Sequence, residues 1–575
     1  MKRFVSSIVI TVAALLMFSA CNKMLDKAPL DSFADDNFWT KEANVEAYAN
    51  TFFNNFAGYG NGGGGGSFYF PTLNDNQADA SFRDWNYNNV LVTNSDWTSP
   101  YVEIRRANIL ISRVEKMDIA SEAKAHWTGV ARLIRALQYY WLVRTFGDVP
   151  LVDHELNISE TEVIFQPRQD RDKVMDFVLD DLDFAVTNIR DVVNRTGWSR
   201  DLAQAIKAEI CLFEGTYCKY RVAADGQKAP DTNRATAFLT AAKTAAAAIM
   251  AKGAYVLNTT YASTYNSLDL TGSKEMILTK HYAKDVFMHS LPDYTCSSSQ
   301  AYGLTKDAFN AYLFTDGLPK ATTSKNNTDI PTVMDAAQHL TITDLLAVRD
   351  PRLSAAIDGT LMTVPNPFKG RFGRSDDVNQ TSSTGYGVLK YDSKDLAVGY
   401  RVETGKNYTD APLYWLAVIY LEYAEACAEL GACTQSDLDN SINKLRDRVG
   451  MPHLTTTPAA DPANNMGVSA LIWEIRRERR VELMFDNNFR FWDLNRWHQL
   501  DKLDTKQYPD IKLGANVKND PTSMSSTDIT VTADGYINAY PNNDRIYDKK
   551  YYFYPVPTSQ IQLNEKLTQN PGWEK

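Results

Sequence analysis

This chain has few basic residues for its size. Its 60 Lys and Arg are outnumbered by 70 Asp and Glu, for a formal net charge of -10. The surplus of cations that neutralises a phosphate backbone is missing, which excludes nucleic acid as a partner class. Histidine is sparse too: the 7 His are scattered, with no HExxH and no Cys/His cluster, and zinc has no ligand set. Apart from Cys21, the cysteines are Cys211, Cys218, Cys296, Cys427 and Cys433, an odd number that cannot form a complete intrachain disulfide framework. Cys211 and Cys218 stand two helical turns apart, about 10 Å by helix rise, too far to bridge. No GxSxG marks a nucleophile, and the glycine run 58–66 is not followed by GK[ST], so a nucleophile elbow and a phosphate loop are both missing. Asp75, Gln77 and Asp79 alternate without the Gly and distant Glu of an EF-hand loop. The sequence therefore calls for no cofactor and no metal. Paired carboxylates for glycoside hydrolysis stay open as an alternative, because the spacing that matters there is spatial.

A long apolar run stands near the start of the chain. Lys2 and Arg3 precede an apolar stretch from Phe4 to Phe18, followed by Ser19-Ala20-Cys21. That is signal-peptide length rather than a membrane span, and small residues before a cysteine are the pattern of a bacterial lipoprotein signal. We expect residues 1–20 to be removed and Cys21 to be acylated, so that the mature chain is anchored to a membrane rather than crossing it. At 575 residues the chain exceeds one compact core, and two lobes or a stacked helical array are expected.

Helical patterning dominates what remains. Tyr101, Ile104, Ile109 and Val114 make one apolar stripe and Trp127, Val130, Ala131, Ile134, Leu137 and Trp141 another, ended by Gly147 and Pro150. Amphipathic segments follow at about 170–191, 200–221 and 233–252, a spacing of paired helices that reads as tetratricopeptide-like. The expected units are a helical-repeat region over 21–257 with an early loop, a loop-rich insertion over 258–409, a closing helical pair over 410–500 and a C-terminal loop region over 501–575. The run 58–66, GYGNGGGGG, reads as a flexible loop, and Ser436 as the cap of a late helix. From Glu474 to Trp497 charges and aromatics alternate, with Glu474 facing Arg477 and Arg479 facing Glu482 three positions on. Apolar residues cover more than one side of that stretch, so part of its charge must lie against packed protein as an internal ion network.

The phrase RRERRVELMFDNNFRFWDLNRW resembles the signature segment of the SusD/RagB-like family, the outer-membrane nutrient-binding lipoproteins of Bacteroidetes-type bacteria. LDKAPLDSFADDNFW after Cys21, RALQYYWLVRTFGDVPLV and the ending from Tyr551 to Trp573 with Asn570, Pro571, Gly572 and Trp573 resemble it as well. The resemblance implies a mostly α, tetratricopeptide-scaffolded SusD-like fold. It also implies a lipid-anchored protein of the cell outer membrane, facing the exterior, that captures oligosaccharides without catalysis and passes them to a SusC-like TonB-dependent transporter. A peptide-binding, RagB-like role is the alternative. The family builds its ligand site from the early loop and the middle insertion, which here offer Asp75, Arg83, Trp85, Asn86, Tyr282, Tyr294 and Tyr302. Aromatic faces stack on the apolar C–H faces of sugars while Asp, Asn and Arg meet the hydroxyls.

The anchor gives the first prediction. Cys21→Ser should move the protein from the membrane to the soluble fraction, and a variant that stays membrane-bound in cells lacking the partner transporter would refute acylation.

Overall fold

The computed structural model describes residues 38–298, 302–365, 372–373, 380–486, 488–520 and 530–574, so the signal segment and Cys21 lie outside them. The apolar stripes fold as α1 (Glu42–Asn50), α2 (Ser95–Lys116), α3 (Ser121–Phe146), α4 (Arg171–Asn188), α5 (Arg200–Tyr220) and α6 (Thr232–Ala251). Each of α2 to α6 packs on the helix before it, giving the row of paired helices that the periodicity predicts. Asn94, Asp170, Ser199 and Asp231 start α2, α4, α5 and α6 by accepting a first-turn N–H on a side-chain oxygen. Gly147, at φ 73°, ends α3. Inside the row, buried Arg135 of α3 binds Asp181 of α4 at 2.8 Å and Asn108 of α2 at 2.7 Å, fixing three helices with one guanidinium. Among the described residues no helix is long and apolar enough to cross a membrane.

The row continues from α6 onto α7 (Leu416–Glu429), although a long excursion of chain separates them. Of the short strands, β1 (Gln77–Asp79), β2 (Met276–Lys280), β3 (Tyr302–Leu304) and β4 (Ala411–Trp415) shape this part. β2 and β4 pair antiparallel, so the excursion leaves and returns through one hydrogen-bonded neck, and β1 pairs antiparallel with β3, tying the early loop to the excursion. Helix α7 is buried on both sides: Leu416, Ile419 and Ala426 join the apolar core of the helical row, while Val418, Leu421 and Ala424 join the core beneath the excursion. Thr434, rather than Ser436, caps the short helix Gln435–Asp439, because its side chain and that of Asp437 exchange hydrogen bonds with each other's backbone N–H.

Next come α8 (Ile442–Val449), α9 (Ala470–Glu482) and α10 (Phe489–Arg496). α9 and α10 are joined by a sharp corner in which Phe485 and Asn488 take φ of 71° and 56°. The charges of this corner are buried as an ion network. Arg352, from the excursion, holds Asp350 at 2.6 Å, Glu478 at 2.7 Å and Glu482 at 2.9 Å. Arg446 binds Glu478 at 2.8 Å, and Arg448 binds Glu482. The Glu474–Arg477 pair forms at 3.2 Å. The Arg479–Glu482 pair expected from spacing does not: Arg479 turns to Asp493 of α10 at 2.8 Å, and Glu482 is already held by two other guanidiniums. Burial alone would raise the Glu478 and Glu482 carboxyls, but the facing arginines outweigh it and hold both below the ordinary range.

Arg352→Met should therefore cost about 3 to 5 kcal/mol in urea unfolding, since it removes the guanidinium shared by three buried carboxylates. With folded pKa values below an unfolded value of about 4.3, the contribution of Glu478 and Glu482 is present above that pH and is lost as the pH falls through their folded values, which an acid titration of stability would read.

Candidate ligand site

The structure sorts the seven candidate contacts into separate groups. Asp75 is 3% exposed, and its carboxylate is held by Arg490 through two hydrogen bonds of 2.7 and 2.8 Å. Burial would raise its pKa, yet Arg480 and Arg490 bring it well below the usual carboxylate range. Trp85 is 5% exposed; its indole N–H donates to the Ile546 carbonyl at 2.7 Å and its ring stacks on Tyr551 at 4.3 Å. Tyr282 is 1% exposed, donates to the Gly60 carbonyl at 2.8 Å and stacks on Phe287 at 5.0 Å. These three have their polar atoms engaged within the chain, and what they do in the fold is anchor the early loop and the glycine run.

Arg83 and Asn86 are exposed, and Tyr294 and Tyr302 half-buried. Asn86 donates to the Tyr554 hydroxyl, beside Tyr87, which donates to Asp96 at 2.9 Å. Tyr294 meets Phe70 edge-on at 5.1 Å, and Tyr302 lies 5.1 Å from the ring of Tyr69. The candidates thus form one cluster around Asn86 and another around the Tyr294 and Tyr302 rings.

Three adjoining cavities run between the helical row and the neck of the excursion. An outer one of about 490 Å³ is lined by Asn86, Asp96, Glu103, Gln138, Trp141 and Trp492. Trp141, Arg144 and Trp492 are also walls of a smaller chamber of about 170 Å³, floored by Glu209, Glu422 and Tyr414. Across Ala57 and Leu413 that chamber borders a third cavity of about 520 Å³ with Asn61, Lys280, His281 and Phe287 on its walls. The Arg144 guanidinium lies between the rings of Tyr140 and Trp492, 4.8 and 4.3 Å away. The glycine run bounds the third cavity, and the expectation of a flexible loop is corrected here. Asn61 and Gly64 bridge, Gly62 N–H donates to the Met288 carbonyl at 2.8 Å, and a Cβ on Gly60 or Gly66 would collide with the backbone of Gly64 or Gly58. Glycine is needed for close backbone approach, not for slack.

Of these walls the sequence reading found Asn86. The helical ones sit on α2, α3, α5, α7, α9 and α10, where they look like ordinary helix residues, and the rest on β2, β4 and the loops beside them. One signal was available: Glu422 lies in LAVIYLEYAEACAE, a segment apolar on all sides, so its acids cannot face water. Among the described residues two groups bring three possible metal-ligand atoms within 4.8 Å: Asp172, Glu214 and Cys218, and Asp269, His281 and Asp410. Arg171 and Arg221 hold the first group, and Asp410 already accepts from Leu270 N–H, Tyr282 N–H and His281. The alternating Asp75 and Asp79 do not converge: Asp75 belongs to the arginines and Asp79 pairs across the sheet with Tyr302.

Comparison with known proteins gives two family matches that cover most of the chain. The model of the SusD family matches residues 255–573, and one described as starch-binding, associating with the outer membrane, matches residues 20–212. A SusD-like protein of Formosa agariphila is 22% identical over 531 residues, 86% of this chain and 92% of that one. A SusD-like protein of Bacteroides ovatus is 26% identical over 230 residues, 37% of this chain, which spans only 40% of that relative's length. Among solved structures, a SusD-like carbohydrate-binding protein of Bacteroides fragilis shares the fold with a TM-score of 0.70 at 20% identity, covering 92% of this chain and all of that one.

The geometry separates anchors from surface residues. Trp85→Ala should lower stability by about 3 to 5 kcal/mol, because it removes a packed ring and its hydrogen bond. Arg83→Ala and Asn86→Ala should stay within about 0.5 kcal/mol of wild type in urea unfolding.

Proposed function

The chain belongs to the SusD family, and from that premise we propose that it is an outer-membrane lipoprotein that captures oligosaccharides at the cell surface. It hands them, uncleaved, to a SusC-like TonB-dependent transporter. The observation that carries this reading is the outer cavity beside Asn86. Trp141 and Trp492 line it with Asn86, Asp96, Glu103 and Gln138, the combination of apolar planes and paired donors and acceptors that a sugar ring presents in complement. Carbohydrate binding is also what the B. fragilis neighbour is named for. Of the sequence set, Asn86 lines the outer cavity and is the member we assign as its ligand contact, with Asp75, Trp85 and Tyr282 as residues that hold the loops. A helical row of this length offers a broad face for a stable complex with a barrel, which needs on the order of 2,000 Å² or more. The anchor is the acylated Cys21.

Calorimetry of the purified protein against a panel of oligosaccharides and peptides tests the reading. At least one oligosaccharide should bind, and Trp141→Ala should weaken it roughly 10- to 100-fold, the loss expected for one stacking aromatic worth about 1.5 to 3 kcal/mol. Chromatography of the ligand after incubation should show it intact. Shortened products would convert the reading to a hydrolase, and binding confined to peptides would convert it to peptide capture.

A further inference from the structure

We propose that the small chamber floored by Glu422 is a subsite that takes one hydroxyl-rich unit of a saccharide lying in the outer cavity. The proposal rests on the saccharide-capture reading above and adds where a terminal unit goes. Glu422 is 1% exposed on α7, and among the described residues it has neither a hydrogen bond nor an ion pair; its Oε2 is buried without a partner. The other acids of the same helix are satisfied: Glu425 by Arg496 and Glu429 by Arg476. An unpartnered buried carboxyl costs free energy, and it stands out when its neighbours one turn away are paired. Two more wall atoms share this condition, Arg479 Nη1 and Arg144 Nε.

These open positions mix donors with an acceptor. Burial pushes the Glu422 carboxyl well above the usual range, against the pull of Arg479, which favours the protonated form that both donates and accepts. Glu209, also raised by burial, accepts from the Tyr414 hydroxyl at 2.9 Å. A bare anion would face Glu209 and Glu422, and a bare cation would face Arg144, Arg479 and Arg496. Hydroxyl groups, each donor and acceptor at once, suit such a mixture. Phe213, Phe489 and Trp492 supply flat apolar walls for the C–H face of the same unit. Trp141, Arg144 and Trp492 form the wall common to the chamber and the outer cavity, which sets the two side by side for successive units of one saccharide chain.

The test uses the full chain in detergent and short gluco-, manno- and xylo-oligosaccharides as probes, read by calorimetry with melting curves alongside. Glu422→Met should lower the affinity for the best-binding oligosaccharide at least about 10-fold, the size of one hydrogen bond to a buried polar group, while melting at or above the wild-type temperature. Glu422→Gln, which keeps one donor and one acceptor, should stay within about 3-fold in affinity. Affinity unchanged in Glu422→Met would overturn the subsite and leave the capture reading standing, because the chamber would then serve water alone. A wild-type protein that binds no saccharide of the panel would overturn both. Crystals of wild type soaked in the same oligosaccharide give an answer that does not depend on folding of a variant: a sugar ring beside Glu422 is expected, and a ring confined to the outer cavity refutes the subsite.

Discussion

Charge removed from water has to be matched at close range, and in this protein that requirement fixes where the signature segment sits. Four arginines of α9 face acids from four different parts of the chain: Arg476 meets Glu429 of α7, Arg477 meets Asp461, Arg479 meets Asp493 of α10, and Arg480 meets Asp307 of the excursion. From outside, Arg352, Arg446 and Arg448 satisfy the acids of the same helix. Each contact is geometrically exacting, and a misplaced helix would strand several buried charges at once. Hydrophobic packing would tolerate a shift of one side chain for another far more readily. The helical row, the early loop and the excursion therefore share a single fixed reference, with Asp75 of the early loop brought to it through Arg490.

The helices were legible because apolar period and capping residues are local properties. Asn94, Asp170, Ser199 and Asp231 cap within three residues of themselves, and Gly147 stops α3 where the sequence puts it. Partners of buried charges are not local. Spacing on one helix correctly pairs Glu474 with Arg477, yet it fails for Arg479, whose partner lies past the corner, and for Glu482, whose cations come from residues 352 and 448. The same limit applies to the candidate contacts. Composition marks Trp85 and Tyr282 as aromatics in polar loops, but only the folded chain shows that Tyr551 and Phe287 cover them. Composition likewise reads nine residues of mostly glycine as slack, where the fold uses them to let backbone pass within touching distance of backbone.

Helix α7 shows how a scaffold acquires chemistry without a motif. It is buried on every side, divides two apolar cores and still carries Glu422, Glu425 and Glu429. Two of these acids are structural, tied to Arg496 and Arg476. The third faces a chamber that borders the surface cavity, and its raised pKa is the electrostatic signature of a group for which the fold supplies no partner. A scan of motifs passes over such a residue, whereas an accounting of every buried polar atom does not.

The antiparallel neck of β2 and β4 has a consequence for how such proteins diversify. Two paired strands lie about 4.8 Å apart, so everything hung between them begins and ends at nearly one point of the scaffold. The closure entropy of a loop with fixed ends grows only with the logarithm of its length, and the helical row meets the same two strands whatever lies beyond them. The excursion is in that sense an interchangeable cartridge: its length can change without disturbing the helical row, provided the incoming segment keeps a basic group where Arg352 enters the ion network.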